Sequence, residues 1–120
     1  MILESAERGP LLETLVLHEL RSRVDISGCG GEWSYWRTPS QAEIDFVWTR
    51  GKKTIGFEVK SASVWKKEFG SVLNPLFQEK RLQKCYGIYL GNSRLKDHDV
   101  HVLPLKEFMR DLAEGRILGS

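Results

Sequence analysis

Two short apolar runs, Ile44-Asp45-Phe46-Val47-Trp48 and Thr54-Ile55-Gly56-Phe57-Glu58-Val59-Lys60, flank the segment Thr49-Arg50-Gly51-Lys52-Lys53. β-branched and aromatic residues alternate over a short window with a Gly-containing turn between them, which predicts two strands joined as a hairpin. On the second strand Ile55, Phe57 and Val59 point to one face, and Gly56, Glu58 and Lys60 to the other. Two charged side chains thus leave one side of an apolar strand, about 7 Å apart along it. Asp45, on the neighbouring strand, can face the same way as Glu58. Two carboxylates and a lysine on one sheet face suit a hard metal ion beside a proton-handling amine.

The chain of 120 residues is the size of one domain, expected to span residues 1–120 with residues 1–9 as a lead-in. Its 41% hydrophobic and 28% charged content supports a real core. A net charge of +2 is too small to argue for nucleic acid, but its distribution is uneven. Lys52, Lys53, Lys60, Lys66, Lys67, Lys80, Arg81, Lys84, Arg94 and Lys96 crowd the middle. This pattern fits a polyanionic substrate, and equally a solvated surface of mixed charge. Cys29 and Cys85 are too few and too far apart for a zinc pattern, and read as reduced thiols or as one disulfide. No apolar run approaches the ~18 residues of a membrane span, and no signal-peptide core is visible. The expected location is therefore cytoplasmic.

Pro10 stands where a helix can begin, and residues 11–24 carry helical periodicity. Leu12, Val16, Leu17, Leu20 and Val24 fill one arc, and Glu13 falls inside it. A carboxylate on a buried stripe needs a partner. Arg37 is one choice, and the charged face of the hairpin is the other. Trp33 to Arg37 reads as a strand with Trp33, Tyr35 and Arg37 on one face, and Thr38-Pro39-Ser40-Gln41 as a turn. Residues 64–81 read as a helix weakened by Gly70 and Pro75, where Pro75 kinks it, starts a second piece or ends it. Residues 85–90 and 99–103 read as strands, and residues 105–115 as a final helix entered after Pro104 and stopped at Gly115. The order α-β-β-β-α-β-β-α predicts a mixed α/β fold.

Asp45 followed by Glu58-Val59-Lys60, after a helix carrying Glu13, resembles the PD-(D/E)XK nuclease superfamily. The resemblance implies a restriction-endonuclease-like αβββαβ core with a mixed central sheet flanked by helices. A C-terminal strand and helix follow that core. The runs Gly9-Pro10-Leu11-Leu12-Glu13, Tyr35-Trp36-Arg37-Thr38, Glu43-Ile44-Asp45-Phe46 and Phe57-Glu58-Val59-Lys60-Ser61 look more narrowly like a widespread prokaryotic family. There, a C-terminal domain of uncharacterised function follows a P-loop ATPase module. The chain departs from these patterns in three ways. Ile44 replaces the superfamily's proline, no Gly-x-x-x-x-Gly-Lys-Ser/Thr occurs, and no Gln-x-x-x-Tyr element follows Lys60. An ATPase module would lie outside this chain.

The resemblance assigns Glu13, Asp45, Glu58 and Lys60 to catalysis. It gives Asp45, Glu58, the Val59 carbonyl and Glu13 as ligands of Mg²⁺ or Mn²⁺. Elementary electrostatics agrees, since two carboxylates about 4 Å apart repel by roughly 4 kcal/mol at an effective dielectric of 20. A cation or a shared proton relieves that strain, and all-oxygen ligands select hard divalent ions. Lys60 would orient a water or neutralise charge on the phosphate. Its bland alternative is a salt bridge to Glu58 or Asp45. Arg37, Lys66 and Lys67 are candidate contacts to nucleic acid. The implied activity is a metal-dependent deoxyribonuclease acting on duplex or branched DNA, as a homodimer where both strands are cut. The alternative is a non-catalytic nucleic-acid-binding or protein-docking module attached to an ATPase. Trp48 and Trp65 read as core aromatics before base-stacking ones. His98 and His101, near Asp97 and Asp99, read as a solvated loop before a metal site.

Overall fold

The hairpin organises the molecule. In the computed structural model, which describes residues 5–37 and 43–118, β2 (Glu43–Arg50) and β3 (Lys53–Val59) pair antiparallel. They are joined by a two-residue turn in which Gly51 takes φ +61°, the glycine-first arrangement of a type II′ hairpin. β1 (Glu32–Arg37) adds to the free edge of β2. β4 (Lys84–Tyr89) and β6 (Val100–Pro104) extend the sheet in parallel beyond β3, and β5 (Leu95–Asp97) closes it antiparallel. The six strands run in the order β1-β2-β3-β4-β6-β5. Three helices flank them: α1 (Ser5–Ser27), α2 (Leu73–Gln78) and α3 (Leu105–Ala113). The architecture is the mixed α/β sheet with flanking helices that the order of elements and the resemblance implied.

Each sheet face covers its own apolar layer. Ile55, Phe57 and Val59 pack with Leu12, Val16 and Leu20 of α1 and with Phe108 and Leu112 of α3. The opposite layer joins Val47, Cys85, Val100 and Val102 to Leu73 and Leu76 of α2 and to Leu82. Phe57 stacks on Tyr86 and meets Phe108 edge-on, so aromatic contacts within the α1 layer fix the central strand.

Several local expectations change. α1 begins at Ser5, within the residues read as a lead-in, and Pro10 lies inside it. A proline ring already holds helical φ, but as the sixth residue of α1 Pro10 leaves one i→i−4 hydrogen bond unmade in the second turn. Residues 64–81 form no single helix. Lys66 is extended, Lys67–Gly70 make one 3₁₀ turn, and α2 is only six residues long. Pro75 is the third residue of α2, where an N–H has no intrahelical acceptor in any case. β5 is an additional strand, too short to carry a pattern of its own. Trp33 packs on the core whereas Tyr35 is exposed. Both cysteines are free thiols. The turn expected at Thr38-Pro39-Ser40-Gln41 lies outside the described residues. Among the described residues no helix is long and apolar enough to cross a membrane.

Candidate functional site

The β2–β3 ladder is regular from Arg50↔Lys53 to Phe46↔Phe57 and then stops. Two features open the sheet there. Between the pairs Ser34↔Val47 and Trp36↔Ile44, β2 spends two residues, Asp45 and Phe46, where β1 spends one, Tyr35. This β-bulge re-aims the side chains beyond it. Phe46 and Trp48 pack in the α1 layer, yet Ile44 packs with Val47 in the other, against strict alternation. The second feature is Asp45 itself. Its Oδ2 accepts a hydrogen bond from the Val59 N–H at 2.8 Å, where a continued ladder would offer a backbone carbonyl. The N–H and C=O of one strand residue face the same edge. The Val59 carbonyl therefore also faces the fork, while Lys60 N–H turns the other way, to Ile88 O of β4.

Glu58 sits in this fork, 4% exposed. Burial pushes its carboxyl up to about 9, helped by the Asp45 charge and a side-chain hydrogen bond to Asp45, and opposed by Lys60. Glu13, from α1, is also raised, by burial and then by Asp45, and is held down by Lys60. The structure thus brings Glu13, Asp45, Glu58 and Lys60 within electrostatic reach of one another. Asp45 and Glu58 form the tight pair, bound through a hydrogen bond that requires a proton. Among the described residues no three Asp, Glu, His or Cys side chains stand close enough to form a ready cage for a metal ion. That holds for Glu13 beside the pair, and equally for Asp97, His98, Asp99 and His101.

The Lys60 ammonium lies 5.2 Å from the centre of the Phe69 ring, and Lys66 reaches the same ring at 6.0 Å. Phe69 carries no motif and was not singled out by its sequence context. Lys66 and Lys67 are exposed, and Lys67 lines a separate surface cleft with Asn74, Asp97 and His98. Arg37 ends β1, and its side chain lies outside the described residues, as does the pairing with Glu13 considered above. Neither tryptophan is free to stack on a base by its polar edge. Trp48 is fully buried and donates to Gly30 O at 3.1 Å, and Trp65 donates to Asp97 Oδ2 at 2.9 Å. Burial, then Lys96 and Lys84, lower the His101 imidazole pKa. His18 is exposed on α1.

A six-stranded mixed sheet whose hairpin opens beside its parallel strands defines a restriction-endonuclease-like fold. A solved structure with that architecture is the small subunit (R.BspD6I2) of the heterodimeric restriction endonuclease R.BspD6I. It aligns with a TM-score of 0.56 at 12% identity, over 92% of this chain and 70% of that one. At such identity the likeness speaks for the fold. The chain belongs to the DUF4143 family, a domain of unknown function whose sequence model matches residues 8–108. No curated protein matches it in sequence.

Proposed function

We propose that the domain is a divalent-metal-dependent DNA nuclease with its centre in the β2–β3 fork. The observation that carries this reading is the pairing of the buried Glu58 with the half-buried Asp45. The two carboxylates meet where the β2–β3 ladder stops, burial and the Asp45 charge favour a proton on Glu58, and Lys60 and Glu13 lie within electrostatic reach. The donor set fits a hard cation: carboxylate oxygens from Asp45 and Glu58, the fork-facing Val59 carbonyl, and Glu13 through a water or at a second position. When bound, Mg²⁺ or Mn²⁺ would supply charge neutralisation at the scissile phosphate and would relieve the repulsion between the Asp45 and Glu58 carboxylates. The protein does the rest. The Val59 N–H holds Asp45 in orientation. Lys60 donates to a phosphate oxygen as negative charge accumulates there, and Glu13 orders the attacking water. Lys66, Lys67 and Arg37 contact flanking phosphates. One domain carries one centre, so cutting both strands calls for a homodimer or a second nuclease subunit.

A second reading treats the same residues as a fold-stabilising charge network in a non-catalytic nucleic-acid-binding or docking module, attached to a P-loop ATPase in the parent protein. The standing-off of Glu13 from the tight pair favours it. Supercoiled plasmid, single strands and a four-way junction, incubated with Mg²⁺ or Mn²⁺, separate the two. The nuclease reading expects metal-dependent cutting by the wild type that is lost in Asp45→Asn and Lys60→Ala. Binding without cutting establishes the module, and equal cutting by all three proteins identifies a contaminant.

A further inference from the structure

Lys60 ends in a point charge on a flexible four-carbon stem. Attraction to Glu13 and Glu58 draws that charge into the fork, but attraction alone does not fix its position. The structure contains a bracket that does. The cross-strand partner of Glu58 on β4 is Gly87. A Cβ at Gly87 would collide with the Trp65 ring, so the glycine gives that ring its seat on the sheet. Trp65 is pinned there by its hydrogen bond to Asp97 and by the edge-on Tyr89 ring. Trp65 in turn meets Phe69 edge-to-face, with ring centres 5.2 Å apart. The far side of this stack, the Phe69 π surface, carries the Lys60 ammonium.

We propose that Phe69 is a positioning residue for Lys60: held by Trp65 against Gly87, it offers a π face that sets where the positive charge of the fork sits. The proposal rests on the nuclease reading for its consequence but not for its geometry. An ammonium over an aromatic face is attracted by the ring quadrupole, and its neighbouring methylenes fall in the shielding region of the ring. Lys66, farther from the same ring, competes only weakly.

Proton NMR of the wild-type protein tests the contact without any activity. The Lys60 ε-methylene signal, identified by its loss in Lys60→Ala, is expected upfield of the other lysines. It should move back to the ordinary lysine position in Phe69→Leu, which keeps apolar bulk and removes the π face, and stay upfield in Phe69→Tyr. In cleavage assays Phe69→Leu should lower kcat by about tenfold with KM unchanged, while Phe69→Tyr stays within about twofold of wild type. An unshifted Lys60 methylene in the wild type overturns the proposal even if Phe69→Leu fails to fold, as does equal impairment by Leu and Tyr. A shifted signal that Phe69→Leu abolishes, combined with DNA binding but no metal-dependent cutting by the wild type, upholds the bracket and overturns the nuclease reading.

Discussion

The two ends of the β2–β3 hairpin are built from the same strands to opposite specifications. At the turn end every position from Arg50↔Lys53 inward is paired, and Trp48 is fully buried, donating to Gly30. Arg50 donates to Cys29 O and ties the turn to the loop after α1. At the other end the ladder stops, a bulge intrudes, and a carboxylate substitutes for a backbone acceptor. The first end spends its residues on stability. The second accepts a buried acid, Glu58, beside Asp45 at a cost in stability, since burial favours its neutral form where it would otherwise be charged. The difference teaches where function is to be sought: at the place where a regular element is deliberately left incomplete.

Substitutions can break this contrast in graded steps. Trp48→Ala should be the most damaging to the fold, at about 3–5 kcal/mol in chemical denaturation, because it empties the best-packed position of the closed end. Asp45→Asn should leave the melting temperature nearly unchanged, since the amide oxygen still accepts the Val59 N–H. It should nonetheless reduce metal-dependent DNA cleavage by roughly 10²–10³-fold in a plasmid assay. The raised Glu58 carboxyl sets a pH slope. The folded state keeps the proton up to about pH 9, whereas the unfolded chain releases it near 4.5. Stability is therefore highest below the lower value and falls as pH rises through the window up to the higher one. Metal-free protein should accordingly lose stability steadily between roughly pH 5 and pH 9. Glu58→Gln should flatten that slope, and Mg²⁺ or Mn²⁺ at about 100 times its dissociation constant should restore about 2.7 kcal/mol to the wild type at the alkaline end. Thermal melts across pH check all three. The smallest effect belongs to the turn. Gly51→Ala should cost about 1 kcal/mol because of the positive φ, with cleavage unaffected.

Much of this was legible in the chain. Ile55, Phe57 and Val59 announce the inner face of β3 by alternation alone, and Gly51 announces the hairpin. The arc of Leu12, Val16 and Leu20 announces α1, and all six core residues are buried against one another. What escaped the sequence was decided by distant partners. Residues 64–81 have helix-compatible spacing, but Trp65 is held to Asp97 and to the floor at Gly87, which forces an extended Lys66 and a broken segment. β5 exists only as an edge for β6. The bulge at Asp45 leaves no trace in composition, so simple alternation could place this carboxylate on a strand but not in the opening between two. Phe69 was invisible for the same reason, since nothing near it in sequence points to Lys60.

The hydrogen bond from the Val59 amide gives Asp45 a second employment. A descendant of this chain that had abandoned chemistry would still need an acceptor there, because an apolar side chain would strand a backbone donor at about 1–3 kcal/mol. On the nuclease reading, loss of catalysis would thus be written at this position as asparagine rather than as alanine or valine. An aspartate here testifies to sheet construction as well as to reactivity, and Lys60, which carries no such masonry duty, is the more candid witness.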